Sequence, residues 1–233
     1  MSEPGALVGR RPELDSIEDA LAGVVGGAFR AVAIRGEPGV GKTMLLGALA
    51  ERATERGLAV NRGRATEFER GVPFGVFIEA FERLPSALPA GLDVLATAAA
   101  GRLAELDRYR LFRGVRRLLE WQAGQHGAVL ILDDLHWADP ASLELPEYLL
   151  RRPPRAPLLV AVAHRAAQPP PGLADALARL DSAAVALMLE PFREAELAEL
   201  LPVQPARRRA RSTGRPAATP CTCARSPTRT SRR

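Results

Sequence analysis

The sequence predicts an α/β fold of three layers, a mostly parallel central sheet covered by helices on both faces. Three observations carry this prediction. Ala31–Ile34, Val129–Leu132, Pro157–Ala163 and Val185–Leu189 are short apolar runs without polar alternation, the pattern of strands buried on both faces. Between them lie segments whose apolar residues recur at helical spacing. A glycine-rich turn joins the first run directly to the helix after it, which is how a strand hands over to a crossover helix.

Leu7–Arg11 reads as an entry loop, and Pro12–Leu21 as a helix with Glu13 and Asp15 near its positive end. After the strand Ala31–Ile34, Lys42–Glu55 places Leu45, Leu46 and Leu49 on one face and stops before Gly57, a residue suited to a helix C-terminus. Leu58–Gly63 reads as the second strand. The spacing of Phe74, Phe77, Ile78, Phe81 and Leu84 predicts an amphipathic helix whose aromatic stripe belongs to the core. Tyr109–Gln122 predicts another helix, with Leu111, Phe112, Val115, Leu118 and Leu119 inward and arginines outward. Beyond Val129–Leu132, Asp139 is the expected N-cap and Pro140 the first residue of a helix toward Leu150, which Pro146 should kink or shorten. Pro157–Ala163 is a strand, Leu173–Leu180 a short helix and Val185–Leu189 the last strand.

Gly36-Glu37-Pro38-Gly39-Val40-Gly41-Lys42-Thr43 satisfies G-x-x-x-x-G-K-[ST], with a strand before it and a helix after it, the context that the motif requires. Such a loop curls so that successive N–H groups and the helix N-terminus converge on one anion. The expected phosphate cradle therefore runs from Gly36 to Met44. Lys42 is the only lysine among the 32 Lys and Arg of the chain. A compact ammonium on a thin stem reaches phosphates inside this loop where a broad guanidinium fits poorly, which accounts for one lysine in an arginine-biased chain. Thr43 would offer its hydroxyl to Mg²⁺. These features predict a P-loop NTPase that takes a nucleoside triphosphate with Mg²⁺; ATP is the nucleotide that the resemblance described below implies.

The second half of such a site is an acid at the end of a neighbouring strand, and Val129-Leu-Ile-Leu-Asp133-Asp134 supplies two. Asp133 would hold the magnesium and Asp134 would polarise the attacking water. On this stretch alone the two carboxylates could instead cap the following helix or be solvated. The long interval between Thr43 and Asp133 leaves room for a further strand.

Composition narrows the alternatives. The 233-residue chain is 47% hydrophobic, enough for a substantial core. No apolar stretch is long enough for a membrane helix and Met1–Arg10 lacks a secretory signal, so a cytoplasmic protein without membrane attachment is expected. Cys221 and Cys223 are too close for an ordinary disulfide framework and lack a second pair for zinc. The net charge of +5 is uneven: nine arginines and no acid lie between Pro202 and Arg233, leaving 23 cations and 27 acids in the rest.

With these motifs in place, the chain resembles the STAND ATPases of the AAA+ superfamily, especially the N-terminal ATPase modules of large LuxR-type bacterial transcription regulators. Leu7-Val-Gly-Arg-Arg11 is similar to the family's entry motif near the adenine, Gly36–Thr43 to its Walker A, "LILDDLHWAD" (Leu130–Asp139) to its Walker B and "LLVAVAHR" (Leu158–Arg165) to its sensor strand. Glu67–Leu84 also resembles the segment these regulators carry after their second strand. The resemblance spans Leu7 to about Leu201. It implies Asp133 as the magnesium acid, Asp134 as the water-activating acid, Arg165 as a γ-phosphate sensor, and Gly9 and Arg10 as part of the nucleotide entry loop. By residue type alone, His136 and Trp137 are structural pieces of the turn after the strand rather than catalysts, and Arg165 is equally an ordinary surface arginine.

Residues 1–201 are thus expected to form the ATPase core and residues 202–233 a disordered Arg/Pro-rich tail. The family continues instead into a helical lid, a repeat region and a DNA-binding helix-turn-helix, so direct DNA binding by this chain is not expected. Back-translated in GC-rich codons and read one nucleotide back, Ala217–Ala224 spells Gly-Gly-Asn-Pro-Leu-Tyr-Val-Arg, which resembles the family's lid. A reading-frame slip between about Leu201 and Ala217, through mutation or a sequencing error, is the expectation that the nucleotide sequence tests. A basic arm for nucleic acid or acidic lipid is the competing reading of the tail. For the core, an ATP-hydrolysing switch competes with a nucleotide-binding module without useful turnover and with an inert fragment.

Overall fold

The computed structural model describes residues 9–82, 84 and 105–191. The expected tail, and most of the segment after Leu189, lie outside the described residues. Five parallel strands form one sheet: β1 (Arg30–Gly36), β2 (Ala59–Arg64), β3 (Ala128–Asp133), β4 (Leu158–Arg165) and β5 (Ala184–Leu189), in the spatial order β2-β3-β4-β1-β5. The further strand between the two motifs is β2, and it lies outside β3. The sheet therefore interposes β4 between β1, which leads into the glycine loop, and β3, which ends in the aspartates.

Alternating residues of the strands feed two cores. Val32, Ile34, Val129, Ile131, Leu159, Ala161 and Ala163 meet Ile17, Leu21 and Val24 of α1 (Arg11–Val25) and Leu45, Leu46 and Leu49 of α2 (Lys42–Glu55). On the opposite face Ala31, Ala33, Leu130, Leu132, Val160 and Val162 pack under α3 (Gly75–Phe81), α4 (Glu105–His126), α5 (Pro140–Arg151) and α6 (Leu173–Ala178). Burying both faces explains why β1, β3 and β4 read as continuous apolar runs, whereas β5, at the sheet edge, leaves Ala186 and Met188 exposed. Each fully buried Leu, Ile or Val contributes about 1.5–3 kcal/mol, so these two layers fix the strand ends from which the site is built.

α1 runs four residues past the expected Leu21 and α4 extends beyond Tyr109–Gln122 at both ends, and two further helices depart from expectation for tertiary reasons. The aromatic helix ends at Phe81, leaving Leu84 outside it, and starts one residue late, because Phe74 is left-handed (φ 61°) and its N–H donates to Asp139 Oδ2 at 3.1 Å. α5 is not shortened by Pro146 and continues to Arg151. The backbone bond that Pro146 forfeits is offset by burial of Leu145, Leu149 and Leu150 around it. Asp139 caps this helix as expected, accepting from the Ser142 N–H at 3.0 Å and from the Ser142 hydroxyl. Among the described residues no helix is long and apolar enough to cross a membrane.

Candidate functional site

The loop after β1 needs two left-handed residues, and both are glycine: Gly39 (φ 78°) and Gly41 (φ 100°). Gly41 occupies the N-cap position of α2, so the first amides of a 14-residue helix open toward the loop. Lys42 folds back across it, donating from Nζ to the carbonyls of Gly36 and Glu37, each at 2.9 Å. Its ammonium is buried, which lowers its pKa from the ordinary lysine value, and the charges of Asp134 and Asp133 oppose that shift.

β3 delivers the acids. Asp133 is fully buried; Oδ1 accepts from the Asp134 N–H at 2.9 Å, while Oδ2 has no hydrogen-bond partner and the Arg62 guanidinium stands 3.9 Å away. Burial pushes the Asp133 carboxyl above its usual range; the neighbouring Thr43 hydroxyl pulls it back, and the charge of Asp134 pushes it further up. A buried carboxylate oxygen without a hydrogen-bond partner, beside a threonine hydroxyl, is a hard oxygen donor set that fits a magnesium ion. Asp133→Asn is accordingly expected to raise the Tm of the nucleotide-free protein, by removing an incompletely satisfied buried charge, while abolishing any Mg²⁺ dependence of ATP affinity. Parallel melts and ATP titrations with and without Mg²⁺ check both halves.

Asp134 turns left-handed (φ 54°) to start a 3-10 turn, Leu135–Trp137. Its Oδ2 accepts from Arg64 Nε at 2.9 Å and from an Arg64 terminal nitrogen at 2.7 Å. Arg64 ends β2, in register with Asp133 on β3, and its backbone N–H donates to Glu79 Oε2 at 2.6 Å. The sequence reading missed this arginine. Its only signal was a basic residue directly after the expected second strand, which means nothing until β2 is known to lie beside β3.

These groups converge on a cavity of about 430 Å³. Pro38, Gly39, Gly41, Lys42, Thr43 and Met44 form its loop side, and Arg64, Asp134, His136, Trp137 and Arg165 the side opposite. Of the expected residues, Asp133 sits beneath this lining. Gly36, Glu37 and Val40 shape the loop from behind, and Gly9 and Arg10 are not among the lining residues. Arg10 is buried, with its guanidinium bonded to the Val40 carbonyl at 3.1 Å, the Glu190 carbonyl at 2.6 Å and Glu13 Oε1 at 3.1 Å. It ties the loop to the exit of β5.

His136 and Trp137, read from sequence as structural, both face the cavity. Two guanidiniums stand over the Trp137 ring, Arg165 at 5.0 Å and Arg70 at 5.3 Å from its centroid, a cation–π arrangement that holds Arg165 at the mouth. The His136 ring is buried with neither nitrogen hydrogen-bonded. Burial lowers its pKa to about 4, with Arg165 adding to the shift and Asp134 opposing it. It is therefore neutral at pH 7 and adds no charge to the site. Between that value and the ordinary 6.5 the unfolded chain binds a proton that the folded chain refuses. Stability is thus expected to fall as pH drops through this window. A series of melts from pH 7.5 to 4.5 should show a steeper loss in the wild type than in His136→Asn.

The family model described as "AAA ATPase domain" matches residues 6–161. An uncharacterized protein of Rhizobium meliloti (strain 1021) is 29% identical over 171 residues, covering 60% of this chain and 17% of that protein. Among solved structures, the Aeropyrum pernix ORC1 protein in complex with DNA is 19% identical with a TM-score of 0.49, covering 84% of this chain and 49% of that one. AMPPCP-bound DnaA from Aquifex aeolicus is 18% identical with a TM-score of 0.43, covering 78% of this chain and 46% of that one. The chain spans less than half the length of each of these relatives. Because the family model covers most of the chain, including the glycine loop and both aspartates, the chain belongs to the AAA ATPase domain family.

Proposed function

We propose that this chain binds Mg-ATP and hydrolyses it slowly, as the nucleotide-switch module of a LuxR-type regulator. The observation that carries this reading is the convergence of Lys42, Thr43 and Asp134 on one cavity, with the unpartnered Asp133 oxygen beneath it. The phosphate chain lies in the loop, its oxygens taken by the loop amides and the α2 N-terminus, and Lys42 turns from the Gly36 and Glu37 carbonyls to the β- and γ-phosphates. Thr43 and Asp133 hold the magnesium. When bound, the ion neutralises charge that develops between the β- and γ-phosphates. Arg165, steadied on Trp137, reads the γ-phosphate, and Asp134 orients the attacking water. The ATPase core is assigned to residues 1–201.

A second reading, binding without useful turnover, is favoured by one observation: Asp134 is held by Arg64 on Oδ2. A carboxylate engaged by a guanidinium is a weaker water-orienting base, so turnover requires that pair to open. Arg64→Ala is expected to raise phosphate release about 1.5- to fivefold, the range for losing a half-exposed ion pair. A fall would instead place Arg64 on the phosphate. The reading as a whole is tested by calorimetric titration of ATP with and without Mg²⁺, beside a phosphate-release assay on the same samples. Magnesium-dependent binding with slow release supports it, and absence of binding refutes it.

A further inference from the structure

A second cavity, of about 410 Å³, lies outside the two cores, where α4 meets the C-terminal end of α5. Arg113, Arg116 and Arg117 enter it from α4 and Arg152 from the cap of α5, against a single carboxylate, Glu120. That carboxylate is already taken by Arg116, Nε to Oε1 at 2.9 Å. Among the described residues no ion pair holds Arg113, Arg117 or Arg152. The Arg113 guanidinium stands instead 5.9 Å from the ring of Tyr109, and Tyr148 completes the wall. A helix C-terminus accounts for Arg152. It does not account for Arg113 and Arg117, which sit in the middle of α4. The first 201 residues carry fewer cations than acids, so general basicity does not explain the cluster either. Several guanidiniums in one concavity repel one another unless an anion lies among them.

We propose that this cavity is an anion site for a compact polyphosphate, two or three linked phosphoryl groups. Guanidinium forks match phosphate oxygens two at a time, and a concavity presenting several of them suits linked phosphates better than a lone monovalent ion. The volume falls in the range of small-ligand sites and is close to that of the cavity at the glycine loop. A nucleic-acid strand would call for an open groove with successive stacking rings rather than one concavity. Tyr109, 49% exposed although Arg113 and Tyr148 stand against its ring, offers its exposed part to the base if the polyphosphate belongs to a nucleotide.

The test uses the full chain carrying Lys42→Ala, so that it is independent of the glycine loop. Inorganic tripolyphosphate and ADP are titrated separately by calorimetry at fixed salt. Saturable binding of one equivalent is expected, tighter for tripolyphosphate if the natural ligand is free and tighter for ADP if it is a nucleotide. Adding Arg113→Gln, Arg117→Gln and Arg152→Gln together should weaken it at least about tenfold. A control with the same charge loss in the tail, Arg207→Gln, Arg208→Gln and Arg209→Gln, should leave it unchanged. The three substituted arginines are exposed, and an unaltered melting transition verifies that the fold survives. Equal binding by the cavity triple variant, or an equal loss in the tail control, overturns the proposal.

Discussion

Lys42→Ala is expected to weaken ATP binding by at least about 100-fold, with the melting transition retained. Two effects act together. The variant loses the only ammonium in the loop, where a charge-assisted hydrogen bond to phosphate is worth about 1.5–3 kcal/mol. It also strips the Gly36 and Glu37 carbonyls of their 2.9 Å donor, so the loop is no longer braced in its open curl. Lys42→Arg should rescue little, because the planar guanidinium cannot enter the space an ammonium occupies between those carbonyls. Calorimetric titration of both variants beside the wild type measures the effect. Unchanged affinity in Lys42→Ala would mean that ATP does not sit in the glycine loop.

Gly63→Ala is expected to be the most damaging small substitution in the sheet. A Cβ at Gly63 would fall 1.9 Å from the Val76 carbonyl oxygen and 2.9 Å from its carbon, and both are backbone atoms of α3. Neither can rotate away, so α3 must lift from β2 and uncover Phe77 and Phe81. A cost of about 3 kcal/mol, at the upper end of overpacking, should lower Tm by about 6–12 °C. Gly47→Ala is the control: it lies within α2, where an added Cβ meets nothing within 4 Å, and it should stabilise by about 0.5–1 kcal/mol. Equal melts for the two variants would show that α3 does not approach β2 so closely. Loosening α3 also frees Glu79 from the Arg64 amide, so the same variant should disturb the Arg64–Asp134 pair.

Much of this was legible because it is local. Four strands were visible as apolar runs; for β1, β3 and β4 the reason is that a parallel strand buried on both faces admits no alternation, while β5 is a half-exposed edge strand. The second, Ala59–Arg64, was placed within a residue although Asn61, Arg62 and Arg64 make it polar. Asn61 is satisfied in the interior by Gln122, through bonds of 3.0 and 3.3 Å, a pairing between residues far apart in the chain. Pro146 misled because helix propensity counts the lost backbone bond and not the tertiary burial of Leu145, Leu149 and Leu150. Phe74 shortened its helix because Asp139, 65 residues later, takes its N–H.

The sequence by itself determined the chemistry of the phosphate loop. Glycines at 39 and 41, a lysine and a threonine at fixed offsets form that cradle wherever a strand hands over to a helix, since the curl depends on φ angles and neighbouring atoms alone. It also determined that two carboxylates would stand at a strand end. Only the tertiary structure decided what surrounds them. Strand order, set by how the two apolar layers close, puts β2 beside β3 and so brings Arg64 onto Asp134. The same packing buries Asp133 with one oxygen unsatisfied and turns His136 inward as a neutral ring. It also spends Arg10 on the backbone behind the loop. Burial and electrostatic environment are sums over residues distant in sequence, and no local pattern encodes such a sum.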